Sequence, residues 1–115
     1  MIEGLHHIAV ISSSEESVRF YERLGFQSTF RKEREYDTIV LMSGNGIELE
    51  IFVDPRHSRQ ETEPLGLRHL ALKVDRIENT LYELGLEGGP IMSDWLGVRF
   101  CFIKDPDGLT IELHE

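Results

Sequence analysis

An internal repeat is the feature of this sequence that most constrains its fold. A shift of 62 residues aligns residues 5–10 (LHHIAV) with residues 67–72 (LRHLAL). The same shift aligns residues 45–51 (NGIELEI) with residues 107–113 (DGLTIEL). Several matched features at a single offset indicate that the chain contains two copies of one structural unit.

Each copy shows the same predicted order of elements, βαβββ. In the first copy, strand-like segments at residues 6–11, 26–31, 38–42 and 46–52 surround a helix whose apolar residues recur at helical spacing: Val18, Tyr21 and Leu24. The second copy has strand-like segments at residues 67–74, 90–93, 98–103 and 109–114. Its helix carries Ile77, Leu81 and Leu84. The sequence therefore predicts an α+β fold built from two βαβββ modules.

Two capping patterns and one loop mark the boundaries of these elements. Residues 13–16 (SSEE) and the pair Asp75 and Glu78 predict the starts of the two helices. Residues 54–64 contain two prolines and several charges, which is typical of a loop. Because 115 residues suit one domain, we predict a single domain over residues 1–115. It comprises module one (1–53), a loop (54–65) and module two (66–115).

Charge and cysteine content narrow the classes of partner. Acidic residues outnumber basic ones by 21 to 12, which gives a formal net charge of −9. Such a surface repels phosphate backbones and anionic lipids, so we expect neither nucleic acid nor membrane as a partner. No apolar run is long enough to span a membrane. A single cysteine, Cys101, excludes an internal disulfide and is typical of a reducing compartment, so we expect a cytoplasmic protein.

A matched set of four residues is the candidate chemical site. The repeat pairs His7 with His69 and Glu50 with Glu112. Side chains alternate between the two faces of a strand, so both glutamates should lie on the face opposite the apolar side chains that pack on the helices. A carboxylate there is costly unless it is paired or binds a cation.

Two imidazoles and two carboxylates form a mixed nitrogen and oxygen site, which suits Ni²⁺, Co²⁺, Zn²⁺, Mn²⁺ or Fe²⁺. Four protein ligands also leave coordination positions for water or substrate. A single histidine on a strand is more often structural than a ligand, but a structural role gives no reason for matching across the repeat. The neighbouring histidines His6 and His114 are the main alternatives to the four residues.

The chain resembles the vicinal oxygen chelate superfamily, which includes glyoxalase I, methylmalonyl-CoA epimerase, fosfomycin-resistance enzymes, bleomycin-binding proteins and extradiol dioxygenases. The motifs that carry the resemblance are LHHIAV, the helix end in residues 17–26, GLRHLAL and DPDGLTIEL. The resemblance is greatest to short bacterial proteins similar to glyoxalase I. It implies two βαβββ modules that form an open, cup-shaped mixed sheet with helices on the outer face. It also implies one divalent metal per site, with Ni or Zn favoured over Co or Mn, and a homodimer.

By this resemblance, His7, Glu50, His69 and Glu112 correspond to the metal ligands of glyoxalase I. That enzyme is a lyase whose metal stabilises the enediolate formed from the hemithioacetal of a 2-oxoaldehyde and a thiol. A glutamate ligand moves the proton to the adjacent carbon, and the product is an S-2-hydroxyacyl thiol. The resemblance implies this role for Glu112, with Glu50 sharing it, and a thiol adduct of an aldehyde as the substrate.

Two positions depart from the glyoxalase I pattern. Ile11 replaces an arginine and Asp54 replaces an asparagine, and the loss of the arginine removes a contact to the glutathione carboxylates. Arg31, Arg99 and Lys104 are candidates for replacement positive charge. The resemblance also leaves open another metal-dependent enzyme, namely an epimerase, a fosfomycin thiol transferase or a dioxygenase. A further alternative is a metal-free binding protein of the bleomycin-sequestering type.

Overall fold

The computed structural model describes residues 3, 5–57 and 67–115. The chain divides into two compact units, residues 1–58 and residues 59–115. Of the predicted loop 54–65, residues 58–65 lie outside the described residues. The single domain over residues 1–115 stays a prediction, and the two units are described separately.

The first unit contains four strands and one helix. They are β1 (Ile8–Ser12), α1 (Glu16–Arg23), β2 (Gln27–Glu33), β3 (Thr38–Gly44) and β4 (Ile47–Val53). The sheet has the order β1-β4-β3-β2, in which β1 pairs with β4 in parallel and the other pairs are antiparallel. The first and last strands of the unit are therefore neighbours.

One face of this sheet forms the core of the first unit. Along β4, the side chains of Leu49, Ile51 and Val53 are buried, whereas Glu48 is exposed and Glu50 is half-buried. The buried residues of α1 include Val18 and Tyr21. This alternation is the period of two that a strand with one buried face requires.

The second unit repeats the same order. Its elements are β5 (Leu70–Lys73), α2 (Ile77–Leu84), β6 (Met92–Ser93), β7 (Arg99–Lys104) and β8 (Thr110–His114). The sheet order is β5-β8-β7-β6, with β5 parallel to β8 and the other pairs antiparallel. The prediction of an α+β fold with two βαβββ modules is confirmed, and each module contributes a four-stranded mixed sheet.

The hairpin between β3 and β4 turns at Asn45 and Gly46. Asn45 and Gly46 both have positive φ, 55° and 75°, which is the requirement of a two-residue type I′ turn. The Asn45 side chain also donates a hydrogen bond to the carbonyl of Leu24 at the end of α1 (3.0 Å). The turn therefore connects the sheet with the helix that covers it.

Both helices begin within the predicted capping patterns, at Glu16 and Ile77, but neither N-cap residue supplies a side-chain cap. At the start of α1, the backbone N–H of Glu16 donates to the hydroxyl of Ser14 (3.3 Å). In α2 the Asp75 carboxylate accepts a hydrogen bond from the backbone N–H of Arg76 (2.7 Å) and so does not reach the first turn. Instead, the backbone N–H of Ile77 donates to the carboxylate of Glu115 (2.9 Å). A residue just after β8 therefore satisfies the start of α2, which local sequence does not reveal.

In the part of the chain that the structure describes, neither helix is long and apolar enough to cross a membrane.

Candidate metal centre

In the first unit, His7 and Glu50 are placed on one face of the sheet by strand register. Ala9 of β1 pairs with Glu50 of β4, and His7 precedes Ala9 by two residues, which returns it to the same face. The His7 Nε2 atom lies 3.9 Å from Oε2 of Glu50. The side chains are 42% and 26% exposed, so both are accessible to an ion or a small ligand.

His6 supports the orientation of His7. The Nδ1 atoms of the two rings are 2.9 Å apart, which is a hydrogen-bond distance. This contact occupies Nδ1 of His7 and leaves its Nε2 atom facing Glu50. Metal-binding histidines commonly use one ring nitrogen for the metal while the other is held by a neighbouring group. His6 therefore contacts the ring nitrogen of His7 other than the one that lies near Glu50.

The second unit uses the same register for its own histidine and glutamate. Ala71 of β5 pairs with Glu112 of β8, and His69 precedes Ala71 by two residues. The His69 ring packs edge-on against Phe102, with 5.7 Å between the ring centroids, and Phe102 pairs with Glu112 across β7 and β8. Both predicted ligands therefore lie beside the same phenylalanine.

The nearest basic partner of Glu112 is not His69. Oε2 of Glu112 lies 3.5 Å from Nδ1 of His114, two residues along β8. Within residues 3, 5–57 and 67–115, no three His, Cys, Asp or Glu side chains approach closely enough to hold a metal ion. The structure thus brings His7 close to Glu50, and it places both His69 and Glu112 beside Phe102. The complete set of four ligands stays a prediction.

The chemistry of these donors fits a divalent metal. The side chains supply imidazole nitrogen and carboxylate oxygen, which are the ligand types of Zn²⁺, Ni²⁺ and Mn²⁺ sites. Glu50 and Glu112 lie on the face of their sheets opposite the buried side chains. In each unit the arrangement therefore offers one imidazole and one carboxylate on the same accessible face.

Arg34 is a residue near this face that the sequence reasoning missed. Its guanidinium lies over the ring of Phe52, 5.8 Å from the centroid, and is held by Asp37 through two hydrogen bonds of 2.6 Å. Asp37, and less strongly Glu50, raise the pKa of Arg34. Strand parity could have indicated this position. Arg34 follows Lys32 by two residues, just after the end of β2, so the two side chains are expected on the same face of the sheet.

The cations proposed as replacements for the missing arginine have other partners. Arg31 donates to Glu15, beside the start of α1 (2.5 and 2.8 Å), and Arg99 contacts Glu78 in α2 and also Glu115. These two arginines therefore lie on the helix side, away from Glu50 and Glu112. Lys104 donates to the hydroxyl of Thr110 (2.5 Å).

Comparison of the chain with known protein families gives a match over nearly its whole length. The Glyoxalase/Bleomycin resistance protein/Dioxygenase superfamily matches residues 4–113. The chain belongs to this superfamily. The vicinal oxygen chelate resemblance is thereby confirmed.

Two relatives span nearly the whole chain. The uncharacterised protein YwkD of Bacillus subtilis is 43% identical over 100% of this chain and 98% of its own length. A protein of Vibrio parahaemolyticus named as a probable lactoylglutathione lyase is 30% identical over 95% of this chain and 87% of its own length. The superfamily thus includes relatives named as lyases as well as relatives without an assigned reaction.

Solved structures share the fold. A glyoxalase family protein from Enterococcus faecalis has a TM-score of 0.87 and 36% identity, and the match covers 98% of both chains. The fosfomycin resistance protein FosX from Listeria monocytogenes, in complex with Mn(II) and sulfate, has a TM-score of 0.77 and 18% identity; the match covers 99% of this chain and 93% of FosX. At that identity the likeness shows the fold alone.

Proposed function

We propose that this protein is a metal-dependent lyase similar to glyoxalase I. It would convert the hemithioacetal of a 2-oxoaldehyde and a thiol into an S-2-hydroxyacyl thiol. The observation that carries the proposal is the register shared by the two units. In each, a histidine lies two residues before the alanine that pairs with a glutamate. The relative from Vibrio parahaemolyticus that is named as a lyase supports the same reading.

In this proposal His7, Glu50, His69 and Glu112 hold one divalent metal ion, with Ni²⁺ or Zn²⁺ favoured. The metal, when bound, supplies a positive charge that stabilises the negative charge developing on the two neighbouring oxygens of the substrate. The imidazoles of His7 and His69 are neutral donors, and the two carboxylates offset the charge of the ion.

Proton transfer in the proposed reaction is carried out by a glutamate. Glu112 takes the proton from the carbon that bears the thiol and returns a proton to the adjacent carbon, which becomes the alcohol carbon. The hydroxyl oxygen on the first carbon loses its proton and becomes the carbonyl oxygen of the thioester, and the carbonyl oxygen on the second carbon gains a proton and becomes the hydroxyl. The reaction is therefore an isomerisation with no external oxidant. We assign this role to Glu112, with a share for Glu50.

The experiment is thioester formation from methylglyoxal by metal-stripped protein refilled in turn with Ni²⁺, Co²⁺, Zn²⁺ and Mn²⁺. Glutathione and bacillithiol are supplied separately as the thiol. Metal-dependent turnover is the expected result. Bound metal without turnover for any thiol would contradict the lyase proposal and favour another reaction of the superfamily.

Glu48 provides a matched control for this experiment. It lies on the same strand and face as Glu50, is exposed, and accepts a hydrogen bond from the Ser43 hydroxyl (2.5 Å). We expect Glu48→Gln to keep wild-type turnover and metal affinity. A large loss in Glu48→Gln would mean that the activity depends on the general charge of the face rather than on the proposed ligands.

We further propose a cytoplasmic homodimer that acts on small molecules. The measurement is the molar mass in solution by light scattering after gel filtration, with and without metal. A monomer under both conditions would contradict the dimer and require the metal site to be completed within one chain.

A further inference from the structure

His114 is the position near the candidate site at which the two units differ most in chemistry. The 62-residue shift aligns His114 with Phe52, so the second unit has an imidazole where the first unit has a phenyl ring. His114 follows Glu112 by two residues on β8 and therefore lies on the same face of the sheet. The pair has no equivalent beside Glu50, whose corresponding neighbour is apolar.

The distance between His114 and Glu112 shows that the two side chains lean towards each other. Residues two apart on a strand are about 6.6 Å apart along the chain. The Nδ1 atom of His114 nevertheless lies 3.5 Å from Oε2 of Glu112. A shift of a few tenths of an ångström in either side chain brings Nδ1 of His114 and Oε2 of Glu112 to hydrogen-bond distance.

Aromatic packing holds the imidazole in this orientation. The His114 ring stacks on Phe100, its partner across β7 and β8, with 6.5 Å between centroids and 18° between ring planes. Phe100 in turn contacts Phe102 edge-on at 5.7 Å, and Phe102 contacts His69. A continuous row of four rings therefore runs past Glu112 on its own face.

Glu112 is accordingly more enclosed than Glu50. Its side chain is 16% exposed, compared with 26% for Glu50. The residue that pairs with Glu112 on the neighbouring strand is Phe102, whereas Leu41 pairs with Glu50. Two glutamates that match in the repeat thus have different surroundings, and His114 is a polar group beside Glu112 whose counterpart beside Glu50 is apolar.

We propose that His114 is a positioning residue for Glu112. Its Nδ1 N–H contacts Oε2 and restricts the carboxylate to one orientation, which leaves the other oxygen to face the proposed ligand site. This inference rests on the proposed function in that it takes Glu112 as a metal ligand. It deepens that function because it gives Glu112 an orienting imidazole on its own strand, which Glu50 lacks.

The test uses four variants and two readouts. His114→Phe installs the residue of the first unit, His114→Asn keeps an N–H donor at the position of Nδ1, and His114→Gln moves the donor towards the position of Nε2. Glu112→Ala, which removes the carboxylate and leaves no oxygen donor, reports whether Glu112 is a ligand. The readouts are the Kd for Co²⁺ of metal-stripped protein, measured by competition with a chelator, and the kcat and KM for the thioester reaction.

We expect His114→Phe to weaken Co²⁺ binding or lower kcat by about 10- to 100-fold, the usual effect of removing a group that orients a metal ligand. KM should change little, because the proposed role of His114 is to orient Glu112 and not to bind the substrate. Compared with His114→Phe, His114→Asn should restore most of the lost Co²⁺ affinity or kcat, and His114→Gln should restore little of it. Urea unfolding of each variant checks that the protein is folded.

The possible results bear separately on the positioning role of His114, on Glu112 as a ligand and on the proposed function. Wild-type Kd and kcat in His114→Phe, or equal recovery by His114→Asn and His114→Gln, would overturn the positioning role. Wild-type Co²⁺ affinity in Glu112→Ala would overturn both the ligand assignment and this inference. The predicted order of Co²⁺ affinities without any lyase turnover would support the positioning role and contradict only the proposed function.

Discussion

The two units of this protein have the same topology and register but different surroundings for their glutamates. In the first unit, Glu50 lies near His7 and between aliphatic neighbours, and the guanidinium of Arg34 is close to its face. In the second unit, Glu112 lies beside His114 and Phe102. The repeat therefore preserves the backbone positions of the histidine and glutamate, whereas their neighbours have diverged.

This difference in surroundings favours different roles for Glu50 and Glu112. Two glutamates with the same role would be expected in similar surroundings, whereas a base and a metal ligand need different ones. Pairs of titratable groups in distinct environments commonly take distinct acid and base roles. The comparison between the two units can therefore be tested by making the same change in each.

The largest effect is expected from the glutamates themselves. Glu112→Gln should lower kcat/KM for thioester formation by about 10²- to 10⁴-fold, since it removes the proposed base. Glu50→Gln should lower it less, because an amide oxygen still donates to the metal. The measurement is kcat/KM together with Co²⁺ affinity for both variants. A greater loss in Glu50→Gln would reverse the assignment of the base.

Strand parity was sufficient to predict the face of the sheet on which Glu50 and Glu112 lie. The period of two is a property of the backbone, so a sequence pattern reports it well. The parallel pairing of β1 with β4 and of β5 with β8, which sets the positions of His7 and His69 relative to the glutamates, was not predicted from the sequence.

The parts that the sequence did not predict depend on side-chain orientation or on contacts between distant residues. The lean of His114 towards Glu112 is set by stacking on Phe100. The start of α2 is satisfied by Glu115, which lies 38 residues away, and not by the adjacent Asp75. A local motif cannot report such contacts, because many distant residues compete for the same N–H group.

The second largest effect is expected from matched core positions. Ile51 and Leu113 align in the repeat and are 0% and 1% exposed. Replacing either with alanine should lower the free energy of unfolding by about 2–5 kcal/mol, through lost burial and the cavity left behind. Urea unfolding measures both losses, and Ile11→Ala, at an exposed position of β1, serves as the control. A loss confined to one unit would show that the two cores are not equivalent.

A smaller, pH-dependent effect is expected at Asp54, a buried carboxylate of the first unit. Arg56 donates to it from its side chain and its backbone N–H, and these hydrogen bonds hold the pKa of Asp54 well below its usual range. A lowered folded-state pKa means that the carboxylate stabilises the fold above its unfolded pKa of about 3.9. That contribution is lost as the pH falls towards the folded pKa.

Asp54→Asn should therefore be less stable than wild type at pH 6, and the gap should narrow below about pH 4, where the unfolded carboxyl begins to bind protons. Urea unfolding at pH 6, 5, 4 and 3 measures the gap. A difference that stays constant across this range would show that Asp54 acts through shape and hydrogen bonding alone.

The smallest effect is expected from the surface ion pairs that connect strand and helix in each unit. Arg31 binds Glu15 through two hydrogen bonds, and its side chain is 45% exposed, so Arg31→Gln should lower the free energy of unfolding by less than about 1 kcal/mol. Arg99 is 31% exposed and contacts both Glu78 and Glu115. Because Glu115 also accepts the first N–H of α2, Arg99→Gln should cost more than Arg31→Gln. High salt should reduce both losses in urea unfolding. Equal losses of stability in the two variants would show that the contact from Arg99 through Glu115 to α2 contributes nothing. The strand–helix ion pairs of the two units would then be equivalent in energy, although their partners differ.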